Sequence, residues 1–380
     1  MKPRPTVVAL VRPRARAARR PTELAMIDGI LARLARSVRL LGAVTPVNAV
    51  RERARLVAAI EEGKDARPGW TYADPRPMTP RRELETMAGA LSHGRSSALD
   101  TIYLERVREL ALECELMEAV GMRRFARLAA RRFAPACREA AAEAGHLAQG
   151  WLAAAPAEAG GADETIRSDA IDPRSLLSRM REEARRQGLR VSVLPSDSLS
   201  ALAAVGTDTI WIAAGRQVSA SDVDRTVLHE IQGHALPRAK AARLEPGIFA
   251  LGTAGGSDDQ EGLALLLEER AGFLLGRRKR ELAARHTVAL CMSEGQSFAE
   301  AARELTRQGF DAPTTVRILE RVYRGGDGEA PGLGRERVYL EAFVRVRAHL
   351  ATRPEDEEVL LAGQIAVSRA GALRGLLPAR

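Results

Sequence analysis

The stretch HEIQGH, His229 to His234, carries the residues of this 380-residue chain whose types and spacing could do chemistry. Neutral imidazoles are metal ligands, and a carboxylate beside the first of them, Glu230, can carry a proton. The spacing is the difficulty. Ligands four residues apart leave one face of an α-helix one turn apart, whereas five apart they diverge by roughly 140°. The pair can share a metal only if the helix bulges by one residue into an i→i+5 turn, a feature found mostly at functional sites. Gly233, a poor residue for a helix interior, stands just before His234, where the backbone must yield.

A third ligand is needed. The acids that follow are Glu245, Asp258, Asp259, Glu261, Glu268 and Glu269. Glu261 is favoured, because it opens a helix directly after a glycine-rich loop in GGSDDQEGLA, and Gly262 would let another backbone come close. Asp258 and Asp259 suit a helix N-terminus. His229, His234 and Glu261 would hold one zinc and leave a fourth position for water, histidine and carboxylate favouring zinc among divalent metals. Glu230 would take the water's proton and pass it to a leaving amine, which is amide-bond hydrolysis.

The elements that must position these residues follow from periodicity. Residues 1–22 read as a basic disordered tail and 23–154 as a helical region. In the latter, Leu24, Ile27, Ile30, Leu31, Leu34, Val38 and Leu41 make one apolar stripe between a Thr22 cap and Gly42. Residues 155–173 read as a linker, 174–352 as the catalytic core and 353–380 as a C-terminal helical extension. Strands are expected only in the core, at Leu189–Leu194 and Thr209–Ala213, the second being the edge that would pair with substrate. A helix capped by Ser219 or Ser221 carries the histidines. A long helix from about Gln260 to Cys291 follows. The fold class is α+β, mostly helical: a zincin-like metallopeptidase core with a small sheet and an N-terminal helical region.

Composition sets limits on partners. The net charge is +9, but only four of the 58 basic residues are lysines, and the arginines lie beside glutamates on helical faces. That pattern is mostly solvated pairing, so it argues against nucleic acid as the main partner. Aromatic content of 4% gives no row of stacking platforms. Three widely spaced cysteines fit a reducing cytoplasm, and no apolar run is long enough for a membrane span.

HEIQGH followed by QEGLA (Gln260–Ala264) resembles the QEGLA-motif family, whose bacterial members are labelled flavohemoglobin expression-modulating proteins and whose eukaryotic members are tyrosine carboxypeptidases acting on tubulin. TPVNAVRERARLV…PGWTY, RVYRGG (Arg321–Gly326) and VYLEAF (Val338–Phe343) are similar to further segments of that family. The resemblance implies a zinc carboxypeptidase that acts on a peptide or protein C-terminus, possible peptide maturation included. His229, His234 and Glu261 would be its ligands and Glu230 its base. It further implies Arg321 or Arg324 as the group holding the substrate carboxylate, and Tyr339 as a donor to the oxyanion. Asp258 and Asp259 depart from the pattern; they would make the approach acidic and disfavour an acidic tail. The alternatives are a zinc endo- or aminopeptidase, and a non-catalytic regulatory protein binding nucleic acid or protein.

Overall fold

The computed structural model describes residues 21–74, 80–93, 97–154, 164–326 and 331–378. Residues 1–20 of the tail and 155–163 of the expected linker lie outside them, and Thr22, expected as a cap, lies inside a helix that starts at Pro21. The chain is mostly helical with two small sheets, so the α+β class holds.

Helices lie at Ala49–Glu61, Arg81–Ser92, Ala98–Glu118 and Arg138–Ala153, inside the 23–154 stretch expected to be helical. The first helix is shorter than its stripe. It ends at Ser37, and a separate turn, Leu40–Ala43, follows. The break shifts the phase: Ile27, Leu31 and Leu34 are buried as expected, but Leu40 replaces Leu41 in the interior, and Ile30 and Leu41 face water. One apolar cluster joins Leu31, Leu84 and Tyr103 to Leu263, Phe343 and Leu360. The N-terminal helices therefore pack directly on the helices that carry the candidate site, each buried large side chain contributing roughly 1.5–3 kcal/mol.

The strands are β1 (Thr165–Arg167), β2 (Ser192–Ser196), β3 (Ala203–Val205), β4 (Thr209–Ala213) and β5 (Gln217–Ser219). β1 pairs antiparallel with β5; in the other sheet β4 is central, parallel to β2 and antiparallel to β3. Three expectations are corrected. β1 lies inside the stretch read as linker. The 189–194 strand starts three residues later than expected, because 189–191 close the preceding helix through Leu189 N–H to Ala184 O. TIWIA is the centre of its sheet, and the free edge toward the histidines is β3. Three-residue strands are too short to show a two-residue period.

Val193, Ile210 and Ile212 on the inner sheet face pack with Val223, Val227 and Ile231 of the histidine-bearing element. That element starts at Ser219, whose hydroxyl accepts from Asp222 N–H while the Asp222 carboxylate accepts from Ser219 N–H, a capping box. It runs as α-helix over Ala220–Leu228, as π-helix over His229–Ala235 and as α-helix again over Leu236–Ala241.

The QEGLA motif lies in a helix over Gly256–Arg270, and a separate helix spans Gly276–Ser293. The single helix expected there is broken because Gly272 takes φ of +77°. Its N–H and that of Phe273 fold back to the carbonyls of Glu269 and Glu268, a glycine C-cap. Glu261 accordingly sits in the second turn of its helix and does not open it. Among the described residues no helix is long and apolar enough to cross a membrane.

Candidate active site

The π-helical turn answers the spacing problem. With one extra residue in the turn, His229 and His234 return to one face, their ring centroids 5.0 Å apart. Glu261 meets them from the QEGLA helix, its Oε2 3.5 Å from His229 Nε2 and 3.6 Å from His234 Nε2. The three ligand atoms lie within 4.8 Å of one another. A tetrahedral zinc with legs of 2.0–2.1 Å separates its ligands by about 3.4 Å, so these residues fit that ion without large movement.

Close packing of the two helices makes this possible, and it gives the glycines a role. A Cβ on Gly233 would stand 2.6 Å from the Ala264 Cβ, and one on Gly262 would stand 2.4 Å from the Ala342 carbonyl carbon. Gly233 is therefore required by the approach of the QEGLA helix as well as compatible with the bulge.

Both imidazoles are held from behind. His229 Nδ1 donates to Glu268 Oε1 at 2.7 Å, and Arg278 grips the same carboxylate with two bonds of 2.9 Å. His234 Nδ1 donates to Gln260 Oε1 at 2.9 Å, which also accepts from Gln364 Nε2 at 3.2 Å. In the neutral form that binds a metal, these bonds place the proton on each Nδ1 and the lone pair on each Nε2, toward Glu261. Burial opposes charge on His229, but Glu261 and Glu268 outweigh it and push its pKa up to about 9. Burial likewise opposes ionisation of Glu261, yet His234, His229 and Arg335 hold it well below the usual carboxylate range. The pocket is built to hold positive charge between two imidazoles and a carboxylate. Glu230 is buried on the same cavity wall, and its carboxylate makes no hydrogen bond among the described residues.

Tyr339 stands beside this cluster. Its oxygen accepts from Arg321 Nη2 at 3.0 Å and Arg335 Nη1 at 3.1 Å, which leaves its own proton free to donate. Burial and then Glu261 raise its pKa, against Arg335 and Arg321, so the phenol keeps its proton. Arg335 also donates to Glu261 Oε1 at 3.0 Å, and Arg321 faces the fully buried Glu336 at 3.0 Å. Arg324 differs. It is buried, its Nε has no partner, and it makes no ion pair among the described residues. Burial and the neighbouring Arg321 bring its pKa down to about 10.

The flanking motifs brace this turn. Asn48 Nδ2 donates to Gly69 O, and its Oδ1 accepts from Thr71 N–H, which fixes the WTY loop. The Tyr72 hydroxyl accepts from Gly325 N–H at 2.8 Å, and Arg53 binds Glu320 with two bonds.

His229, Glu230, His234, Gln260, Glu261, Arg321, Arg324, Arg335 and Tyr339 line one cavity of about 880 Å³. Its walls carry Arg39, Arg132, Arg216, Arg225, Arg238, Arg277, Arg278, Arg285, Arg317, Arg321, Arg324 and Arg335 against Glu113, Asp208, Asp222, Glu230, Glu261 and Glu281. The expected acidic approach is overturned. Asp258 pairs with Arg132 at 2.9 Å, and Asp259 accepts from Arg345 Nε at 2.8 Å and from Val367 N–H, so both are buried and matched.

A family model described as microtubule-associated tyrosine carboxypeptidase matches residues 60–379. The chain belongs to this family. No curated protein matches it. The matched span takes in the π-helical turn, the QEGLA helix and the segment from Arg321 to Tyr339. The structure brings His229, Glu230, His234 and Glu261, read from their types and spacing, and Arg321, Arg324 and Tyr339, implied by the resemblance, to one cavity. Sequence reasoning missed Gln260, Arg335 and Glu336, and weighed Glu268 only as a ligand. Glu268 lies two turns after Glu261 on one helix face, a spacing that could have revealed it as the support of a histidine.

Proposed function

We propose that this protein is a zinc carboxypeptidase of zincin-like core, removing the C-terminal residue of a peptide or protein. The observation that carries the proposal is the convergence of His229, His234 and Glu261, each imidazole backed at Nδ1, beside an unpaired buried guanidinium. When bound, zinc supplies polarisation of the scissile carbonyl and a lowered pKa for water. Glu230 accepts a proton on the open side and returns it to the departing amine. Tyr339 donates its free O–H to the oxygen that gains charge. Arg324, with no partner of its own, holds the substrate's terminal carboxylate, whereas Arg321 is occupied in orienting Tyr339. The free edge of β3, packed on the π-helical turn, offers backbone groups to an extended substrate. The family's name adds tyrosine as the residue to test first at the C-terminus.

The test is incubation of the zinc-loaded protein with a peptide library, read by mass spectrometry, beside Glu230→Gln. Shortening by one C-terminal residue, about 10³-fold slower in Glu230→Gln with zinc content retained, is the expected result. Internal or N-terminal cuts, or no cut at all, would reject the assignment.

A further inference from the structure

The cavity has a buried, arginine-lined floor and a mixed rim, in which Leu41 and Trp211 are the exposed large apolar side chains among polar ones such as Arg39, Asp208 and Arg277. On the outer face of the larger sheet, Leu194 lies opposite Trp211 in the β2–β4 register, and Ala204 lies opposite Trp211 in the β3–β4 register. The three form one row across the sheet. Leu194 is 41% exposed and Trp211 40% exposed, on a face where alternation ordinarily places polar side chains. Trp211 and Ala204 line the cavity that holds His229 and Glu230. So does Leu41, 44% exposed, brought there by the break after Ser37 that turned it outward. Exposed lining residues mark the mouth of a cavity and buried ones, such as Arg324, its floor.

A carboxypeptidase substrate has one residue beyond the scissile bond, and its carboxylate belongs with the floor. Every other residue lies upstream and leads out past the rim. A strand added along β3 continues the sheet, and alternation places every second substrate side chain on the face that carries Ala204 and Trp211. An indole face offers an apolar side chain a large flat contact with little entropy to lose.

We propose that Trp211, with Leu41, is the specificity-determining contact for an apolar side chain, aromatic or long aliphatic, upstream of the bond that is cut. The proposal rests on the carboxypeptidase reading. It assigns a substrate class whose charged end is its terminal carboxylate and whose grip on the rim is apolar.

Zinc-loaded Glu230→Gln protein is titrated by calorimetry with alanine-based hexapeptides ending in tyrosine, carrying Trp, Leu, Ser or Glu at each of the three positions before the terminal residue. At one position at least, the Trp peptide binds about tenfold tighter than the Ser peptide. Trp211→Ala in the same background brings that ratio close to one, Trp211→Phe restores most of it, and Leu41→Ser reduces it; melting curves confirm that each variant folds. Equal binding of Trp, Leu and Ser peptides at all three positions, or a preference that survives Trp211→Ala, overturns the proposal. Wild-type turnover of the same peptides separates the two levels. Removal of tyrosine without any upstream preference leaves the carboxypeptidase reading standing and rejects the rim contact. Absence of C-terminal shortening rejects the reading, and the rim contact falls with it.

Discussion

His229 and His286 are both shut away from water, and their surroundings drive them in opposite directions. Around His229 burial is outweighed by Glu261 and Glu268, and the pKa rises to about 9. Around His286 burial dominates, its Nδ1 meets only the Arg337 carbonyl at 3.2 Å, and the pKa falls to about 4. The contrast shows what distinguishes a candidate ligand from a structural histidine. Both are buried and both lie on helices, but carboxylates converge on one of them alone. The same rule sorts the arginines. Arg321 has Tyr339 and Glu336, whereas the Arg324 guanidinium has neither hydrogen bond nor ion pair among the described residues. A buried charge with partners positions something; one without a partner is placed for something absent.

The strongest way to break the comparison is to exchange both histidines in turn. His229→Gln removes a ligand, so stoichiometric zinc is lost and peptide cleavage falls by about 10³-fold or more. His286→Gln leaves zinc content near one per chain. Elemental analysis of both purified variants decides it, and zinc lost equally from both would erase the distinction. Among the arginines, Arg324→Met lowers kcat/KM by about 10²-fold for peptides with a free C-terminus, the loss expected when one partner of a buried charge pair is removed. C-terminally amidated peptides, poor for the wild type, lose little more. Steady-state kinetics on matched free and amidated peptides checks this, and an equal loss on both would assign Arg324 to packing.

A smaller effect sharpens the role of the carboxylates. Glu268→Gln keeps a hydrogen-bond acceptor behind His229 but deletes the charge and leaves Arg278 without its carboxylate. Zinc affinity falls by about 10–100-fold, the usual range for a group that orients a ligand from behind. Competition against a chromophoric chelator at fixed pH measures it. An unchanged affinity would mean that the Nδ1 contact orients the ring without tuning the metal.

Much of this arrangement was legible in the chain. The five-residue histidine spacing required a bulge, and the bulge is present as a π-helical turn. The stretch expected to be helical is helical, although its clearest stripe breaks after Ser37. What was hidden has physical causes. β3 and β5 are three residues long, below the length at which a two-residue period can be read. The break after Ser37 reverses the exposure of Leu40 and Leu41, which no continuous stripe predicts. Asp258 and Asp259 looked like a field of negative charge because Arg132 and Arg345, their partners, are distant in sequence. Arg335 was invisible for the same reason: its value lies in reaching Glu261 across 74 residues.

The last consequence of the comparison is a pH effect of modest size. His286 in the folded protein has its pKa depressed to about 4, against an ordinary value of 6.5. Between those values the unfolded chain binds a proton at this residue and the folded chain does not. Stability contributed by the neutral buried ring is therefore fully present above pH 6.5 and is lost as pH falls toward 4, by about 3–3.5 kcal/mol over the whole window. His286→Gln carries no such proton, so its stability declines less over the same range. Urea unfolding at pH 7.5 and pH 5, on wild type and variant both freed of metal by chelation, isolates the term because the other titrating groups are common to the two proteins. The expected outcome is that the gap between them narrows by about 1–2 kcal/mol at pH 5. A gap that stays constant with pH would place His286 in an environment that accommodates its charge, and the contrast with His229 would then rest on the carboxylates alone.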